Sequence, residues 1–268
     1  MLQFKDIMTR EMVYYDKEYK DECAEFCKAR NINYLPAIHN PKLAFQYSRQ
    51  DNRFEQFSIK PGQQVLPNEN IFKSGIADKF GNHEILFVID AGHLYGVVHF
   101  SDYNRSIVYE EIYNKLFMLE RGLIYLVTEY GGKTVGELED HLKTRPENRS
   151  PNPEELLNRH DFSKRKTNLI DVMEFSTNID LLRIRNINKI NNLRNKIAHS
   201  KDLIAKMDYQ SGLLKYNYQA FENLVEGKIS LEIAIKQVAN RLYFMKASAN
   251  ENFNIRASNV YEEAFGRS

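Results

Sequence analysis

The apolar pattern of this chain changes near Ser106, and that change restricts its fold more than any other feature. Before it, short apolar runs alternate with turn residues, which is typical of short strands and helices joined by tight turns. From Ile107 to Glu129 the apolar residues keep helical spacing and no proline interrupts them. We therefore predict an α+β protein, with an α/β domain over residues 1–104 and an all-α helical bundle over residues 105–268.

Local signals within residues 1–104 predict individual elements. Helical spacing predicts helices over Asp21–Arg30 and Asn70–Phe80, whereas residues 39–69 look irregular. The two clearest strands flank a short run of turn residues and are predicted to form a hairpin. The predicted strands are Met12–Tyr15, Tyr34–Ile38, Ile85–Ile89 and Leu94–Val98, with Asp90–His93 as the hairpin turn.

The second half of the chain shows helical patterns without a convincing strand between them. Beyond the first long helix, we predict helices over roughly Lys164–Leu182, Asn188–His199 and Tyr218–Ala247. Residues 144–153 hold three prolines among polar and charged residues, which predicts a loop or linker there.

The overall charge is nearly balanced, with 37 basic and 36 acidic residues and a formal net charge of +1. This balance argues against a protein that binds polyanions over its whole surface, so any nucleic-acid contact must come from a local patch. Cys23 and Cys27 are too few for a disulfide framework or a complete zinc site. Because no signal-peptide core and no apolar run of ~18 residues is found, we expect a cytoplasmic protein without membrane contact.

One concentrated basic patch lies within Leu181–Lys201, which holds six basic residues and no acidic one. Five asparagines share this window, and amides beside cations suit contacts to phosphates and bases. A solvent-exposed helix face is the alternative explanation. Asn191, Asn195 and His199 recur at a spacing of four and therefore share one helix face. Arg194 lies ~140° from His199 around an ideal helix, which favours a cleft shared by two antiparallel copies.

The segment Arg194-Asn195-Lys196-Ile197-Ala198-His199 resembles the Arg-polar-X-X-X-His signature of HEPN domains. This all-α family includes toxins and CRISPR-associated nucleases, and the resemblance covers about residues 105–268. It implies cleavage of RNA without a metal or other cofactor, leaving a 2′,3′-cyclic phosphate, and a homodimer with facing motifs. Some members of the family do not cut RNA, so a non-catalytic RNA- or protein-binding regulator is the alternative.

The resemblance and the patch assign roles to particular residues. His199, with an unperturbed pKa near ~6.5, is expected to deprotonate a ribose 2′-hydroxyl at neutral pH. Arg194 and Asn195 are expected to stabilise the charge that develops on the attacked phosphate. The expected RNA contacts are Asn191, Lys196, Lys189 and Arg185.

Glu120 interrupts the apolar stripe of the first long helix, between Leu116 and Ile124. A carboxylate in that stripe requires a partner, and a basic residue of the motif segment is the expected one. Two roles stay open for Glu120: a structural ion pair, and the orientation of the active-site arginine.

Two segments of the N-terminal half resemble a pair of CBS domains. Asp6-Ile7-Met8-Thr9-Arg10 is similar to the opening of the first repeat, and Asp90–Asp102 to the strands and helix start of the second. The resemblance implies that Asp102 binds the ribose hydroxyls of an adenine nucleotide, with His99 and Ser101 beside it. The first repeat lacks the expected glycine, and a dimerisation platform without a ligand is the alternative. Both resemblances together predict a stress or defence ribonuclease regulated by a nucleotide.

Overall fold

The structure of the chain is a computed structural model that describes residues 1–30, 32–127, 173, 176, 182–198, 203–208 and 213–249. It shows a mixed α+β protein with small sheets and several helices, which is the class that the sequence predicts. The chain divides into two compact units. The N-terminal unit comprises Met1–Ile107 and Met207–Phe221, and the C-terminal unit comprises Val108–Lys206 and Glu222–Ser268.

The first sheet of the N-terminal unit has three antiparallel strands in the order β1–β2–β3. They span Tyr34–Pro36, Leu43–Ser48 and Arg53–Ser58. β1 confirms the strand predicted to begin at Tyr34, but the β2–β3 hairpin shows that the prediction of irregular structure over residues 39–69 is wrong. Tyr47 and Phe54 face each other across this hairpin with ring centroids 4.9 Å apart, and such cross-strand aromatic pairs stabilise a sheet.

The second sheet contains β4 (Gln64–Val65), β5 (Ile85–Asp90) and β6 (His93–His99). β4 pairs in parallel with β5, and β5 pairs antiparallel with β6. Ala91 and Gly92 form the connecting turn with φ angles of +47° and +79°, the left-handed geometry that two-residue hairpin loops use. The two strands and the turn predicted in this region are confirmed.

The N-terminal segment pairs with β6 through Thr9. The Thr9 N–H donates to the Val97 carbonyl at 2.9 Å, and the Val97 N–H donates to the Thr9 carbonyl at 3.1 Å. The two backbones are so close that a Cβ at Gly96 would lie 2.6 Å from the Thr9 oxygen. The prediction of a strand over Met12–Tyr15 is wrong, because Tyr15 alone forms a ladder contact there, an isolated bridge to Ala37.

Three short helices complete the first part of the N-terminal unit. They are α1 (Phe4–Ile7), α2 (Lys20–Arg30) and α3 (Ile76–Asn82). α2 confirms the helix predicted over Asp21–Arg30. α3 begins later than predicted because Gly75 has a left-handed φ of +79° and Asn70 forms a β-bridge with Gln3. Both cysteines of α2 are buried in the core.

Tyr103 is the centre of an aromatic cluster in the N-terminal unit. Its hydroxyl donates to the Ile71 carbonyl at 2.5 Å, and its ring packs edge-on against Phe72, Phe80 and Phe221. Complete burial raises the pKa of Tyr103 well above the usual value. Phe221 comes from the later segment of this unit, so residues distant in sequence share one core.

Long helices dominate the described part of the C-terminal unit. They are α4 (Ser106–Tyr125), α5 (Ile187–Ala198) and α6 (Tyr218–Ala249). They confirm the helices predicted to begin near Ile107, Asn188 and Tyr218. None of the described helices combines the length and the apolarity that a bilayer span requires. Most of the predicted helix over Lys164–Leu182 and the whole predicted linker over 144–153 lie outside the described residues.

A two-stranded sheet separates α5 from α6 along the chain. It is formed by β7 (Ala205–Asp208) and β8 (Leu213–Tyr216), so the prediction of an all-α second half is wrong. Neither strand contains a Val, Ile or Thr. Because β-branched residues are the main local signal of a strand, the sequence gives this hairpin little indication.

Candidate active site on the motif helix

The motif helix is α5, and Asn186 positions its start. Asn186 adopts a left-handed φ of +58°, and its carbonyl accepts hydrogen bonds from the N–H groups of Lys189 and Ile190 at 3.0 and 3.3 Å. Its side-chain amide donates to Ser230 Oγ of α6 at 3.4 Å. These bonds fix the first turn of the motif helix against α6.

The apolar face of the motif helix is buried in the C-terminal unit. Ile190, Leu193 and Ile197 line this face. Gly227 lets the backbone of α6 approach closely, because a Cβ there would lie 3.3 Å from the Lys189 carbonyl oxygen. The same Cβ would lie 3.4 Å from Leu193 Cβ. The helix that carries Arg194 is therefore held by close packing along its length.

Arg194 lies on the buried side of the motif helix and not on its solvent face. Only 4% of the residue is exposed, and its Nη1 donates to Asn195 Oδ1 at 3.1 Å. Glu120 on α4 is also buried, with 2% exposure. A buried charge lowers the stability of the fold unless other groups compensate it. The stability of this unit therefore depends on the partners of both residues.

Two of the basic residues expected to contact RNA make contacts within the chain. Lys196 Nζ donates to the Leu203 carbonyl at 2.6 Å, and Lys189 Nζ lies 2.8 Å from Glu226 Oε2. The patch also contains Arg185, which is exposed, whereas Asn191 and Asn195 are half-buried. His199 lies outside the described residues.

A groove between α4 and the motif helix is a feature that the sequence analysis missed. Its volume is about 300 Å³. The groove is lined by Tyr109, Glu110, Tyr113 and Asn114 of α4 and by Ile197 of the motif helix. The signal that could have found it is the spacing of four between the two tyrosines and between Glu110 and Asn114, which places each pair on one side of α4. Two phenol rings beside an amide and a carboxylate form a surface on which a base can stack and pair.

A buried lysine on α6 is a second feature that the sequence analysis missed. Lys228 is 1% exposed and its Nζ lies 2.6 Å from Glu232 Oε1 and 3.5 Å from Glu111 Oε1. The i,i+4 spacing of Lys228 and Glu232 was visible in the sequence. The two carboxylates compensate the buried ammonium group, so this cluster holds α4 against α6.

The carboxylate of Asp102 is occupied by three hydrogen bonds in the N-terminal unit. Its Oδ2 accepts from the backbone N–H of His99 at 2.8 Å. Its Oδ1 accepts from Arg105 Nε at 3.1 Å and from Arg105 Nη2 at 2.7 Å. Arg105 Nη2 also donates to Thr9 Oγ1 at 3.1 Å, which links the two segments that resemble CBS repeats. A ribose diol at Asp102 would have to displace Arg105.

His99 and Ser101 interact with each other beside Asp102. The Ser101 N–H donates to His99 Nδ1 at 3.1 Å, and Ser101 Oγ lies 2.7 Å from the same nitrogen. Because Nδ1 accepts, the neutral ring carries its proton on Nε2, the nitrogen that would donate to a phosphate. Burial lowers the pKa of His99, while Glu84 and Asp102 act in the opposite direction.

The residues of the motif helix and the residues around Asp102 differ in what they can bind. Among the residues that the structure describes, no three His, Cys, Asp or Glu side chains lie together in a way that could hold a metal ion. The motif helix carries Arg194 and Asn195 and contributes Ile197 to the tyrosine groove, and the Asp102 group forms a closed hydrogen-bonded cap. No protein-family model, curated protein sequence or solved structure matches this chain.

Proposed function

We propose that the C-terminal unit is a metal-independent endoribonuclease built on Arg194, Asn195 and His199, and that the protein acts as a homodimer. The observation that carries the proposal is the arrangement around the motif helix. The Arg194–Asn195 hydrogen bond lies on the motif helix, and the same helix contributes Ile197 to the tyrosine groove. A phosphate-directed group and a base-stacking surface are the two contacts that an RNA-cleaving site needs.

The proposed reaction is transesterification at the 2′-hydroxyl. His199 takes the proton of that hydroxyl, the oxygen attacks the adjacent phosphorus, and the bond from phosphorus to the 5′-oxygen of the next nucleotide breaks. The leaving 5′-oxygen takes a proton from water, and His199 returns its proton to the solvent. The products are a 2′,3′-cyclic phosphate and a 5′-hydroxyl end. The Asn195 Nδ2 donates to the phosphate, because its Oδ1 already accepts from Arg194. Arg194 thus acts mainly as a positioning residue, which agrees with its 4% exposure.

A second candidate function is favoured by the same burial of Arg194. A guanidinium inside the helical core can be a structural charge, and the C-terminal unit would then bind RNA or protein without cutting it. The exposed basic residues of the patch and the tyrosine groove would serve that role equally well. The two candidates differ in the outcome of one assay.

The test is incubation of the full chain with single-stranded RNA in EDTA, with the cleaved ends identified. His199→Ala is expected to lower the cleavage rate ~10²-fold or more while leaving the helical circular dichroism unchanged. Asn192→Ala is the matched control, because Asn192 is an exposed residue of the motif helix outside the proposed site. Wild-type cleavage by His199→Ala contradicts the proposal, and RNA binding without cleavage supports the second candidate.

We also propose that an adenine nucleotide binds the N-terminal unit at Asp102 and regulates the nuclease. The contact of Arg105 with both Asp102 and Thr9 supports a regulated site, because a ligand that replaces Arg105 releases the link between the two segments. ATP, ADP or AMP is then expected to raise the melting temperature of the wild type. Asp102→Asn should abolish the shift and Arg105→Ala should keep it. An unmoved melting curve at millimolar nucleotide contradicts this part.

A further inference from the structure

A cavity of the N-terminal unit lies at the start of α2 and has a volume of about 640 Å³. None of its lining residues belongs to the Asp102 group. Its aromatic walls are formed by Tyr14, Tyr19 and Phe26, and two carboxylates, Asp16 and Glu22, stand among them. Among the residues that the structure describes, no basic one lines it.

One wall of the cavity is the segment of Val13, Tyr14 and Asp16, which is anchored through Tyr15. Tyr15 donates its N–H to the Pro36 carbonyl at 2.9 Å, and its ring stacks on Phe45 with centroids 4.0 Å apart. Tyr14 and Asp16, the two neighbours of Tyr15 in the chain, line the cavity. Cys23 Sγ lies 3.9 Å from the Tyr14 carbonyl and 4.0 Å from the Asp16 carbonyl. The segment is thereby held against α2 and the cavity is preformed.

Exposed apolar side chains concentrate around this cavity. Val13, Tyr19 and Ile38 line it and are 39%, 57% and 48% exposed. Large apolar side chains gathered at one concave surface are typical of a ligand site, whereas single exposed ones are ordinary. A volume of this size also exceeds what a bare ion needs, so the occupant has an apolar body.

The two carboxylates of the cavity favour a ligand with a positive charge. Neither Asp16 nor Glu22 forms an ion pair among the described residues, and Asp16 Oδ1 accepts only the backbone N–H of Glu18, at 2.9 Å. Two carboxylates that form no ion pair among the described residues repel phosphates and attract an ammonium group. The faces of phenol and phenyl rings bind cations, and the same rings pack against apolar groups.

We propose that this cavity binds an organic cation, namely a protonated amine carried by an aromatic or alkyl body. The amine lies between Asp16 and Glu22, and the apolar body packs against Tyr14, Tyr19 and Phe26. This site is independent of the ribonuclease proposal and of the nucleotide proposal, whose ligands are anionic. It gives the N-terminal unit a second kind of small-molecule partner.

The test is calorimetric titration of the full chain with three ligands of matched shape. They are phenethylammonium, 2-phenylethanol and phenylacetate, which carry positive, zero and negative charge. Phenethylammonium is expected to bind about tenfold more tightly than the neutral alcohol, and phenylacetate not at all. Equal binding of the three ligands, or no binding of phenethylammonium at millimolar concentration, overturns the proposal.

Variants localise the binding to this cavity. Glu22→Gln is expected to weaken phenethylammonium binding about fivefold, and Tyr19→Ala by a similar factor. Both residues are exposed, so neither change threatens the fold. Glu25→Gln and Tyr95→Ala are the matched controls, because both residues are exposed and do not line the cavity. Equal weakening by the controls would overturn the assignment to this site.

Discussion

His99 illustrates how one side chain can carry both a local bond and a pH dependence. Its Nδ1 accepts the Ser101 N–H at the start of a short helical turn, so the folded protein requires that nitrogen to be unprotonated. Burial also lowers the pKa of His99, which favours the same unprotonated state. The histidine therefore binds a proton more readily in the unfolded chain than in the folded one.

We predict that His99 makes the protein less stable in mild acid. Because the folded pKa is below the unfolded value of ~6.5, its contribution is complete above that value and is lost as pH falls through the folded pKa. His99→Asn keeps an acceptor near the Ser101 N–H but cannot titrate, so its melting temperature should depend less on pH between ~7.5 and ~5. The exposed His93→Asn is the control, and equal pH slopes for both variants would contradict the prediction.

Glu120 and Arg194 are buried charges of opposite sign in the same unit. The sequence could predict that Glu120 needs a partner, because it interrupts an apolar stripe of α4. It could not predict that Arg194 would be buried, since a basic patch of six cations suggests a solvent face. Arg194 is buried because it lies on the side of α5 that packs into the unit. Only the tertiary structure determines which side that is.

We predict that Glu120 and Arg194 are energetically coupled. Arg194→Met and Glu120→Leu should each lower the free energy of unfolding by about 3–5 kcal/mol, because each leaves the other charge uncompensated. The double variant should be more stable than the sum of the two losses by about 1–3 kcal/mol. Denaturant unfolding measures all four proteins. The pair Glu120→Leu and Lys228→Met is the control and should be additive. Additivity of the first pair would contradict an interaction between Glu120 and Arg194.

At the level of elements, the sequence predicts those helices and hairpins whose stabilising contacts are local in the chain. The β5–β6 hairpin was predictable because its strands are continuous apolar runs and its turn contains a glycine at positive φ. The β2–β3 hairpin was missed because Glu55 and Gln56 stand side by side in β3 and break the alternation. That hairpin is stabilised by cross-strand rings and by its pairing with β1, which no short window of sequence contains.

The pairing of Thr9 with β6 leads to a prediction at the same scale. Gly96→Ala should lower the free energy of unfolding by about 3 kcal/mol, because the new Cβ would meet the Thr9 carbonyl oxygen at 2.6 Å and one backbone must move. Gly62→Ala is the matched control. Its Cβ would meet only the end of the His83 side chain at 3.3 Å, so an effect within about 0.5 kcal/mol is expected. Equal losses of unfolding free energy for the two variants in urea would show that the close approach of Thr9 is not the reason why position 96 requires glycine.

At the scale of the whole molecule, the later segment of the N-terminal unit had no sequence signal. Residues 207–221 belong to that unit, where the Tyr218 hydroxyl donates to the Ala77 carbonyl at 2.5 Å and the Phe221 ring packs on Phe80. A return of the chain over more than a hundred residues depends on contacts that periodicity cannot reveal. The change of pattern near Ser106 is a local property, and the structure divides the chain close to it, after Ile107.

The dimer proposal makes a prediction that a mixing experiment can test. Asn195 and His199 share one helix face, and we propose that in a homodimer with facing motif helices each cleft takes Asn195 from one protomer and His199 from the other. Asn195→Ala and His199→Ala should each be inactive alone. After subunit exchange at equal concentrations, half of the dimers are mixed and one of their two clefts is intact. RNA cleavage should therefore return to about a quarter of the wild-type rate. Exchange of Asn195→Ala with itself is the control, and absence of recovery after verified exchange would place each site within one protomer. Light scattering that shows a monomer at micromolar concentration would contradict the shared cleft altogether.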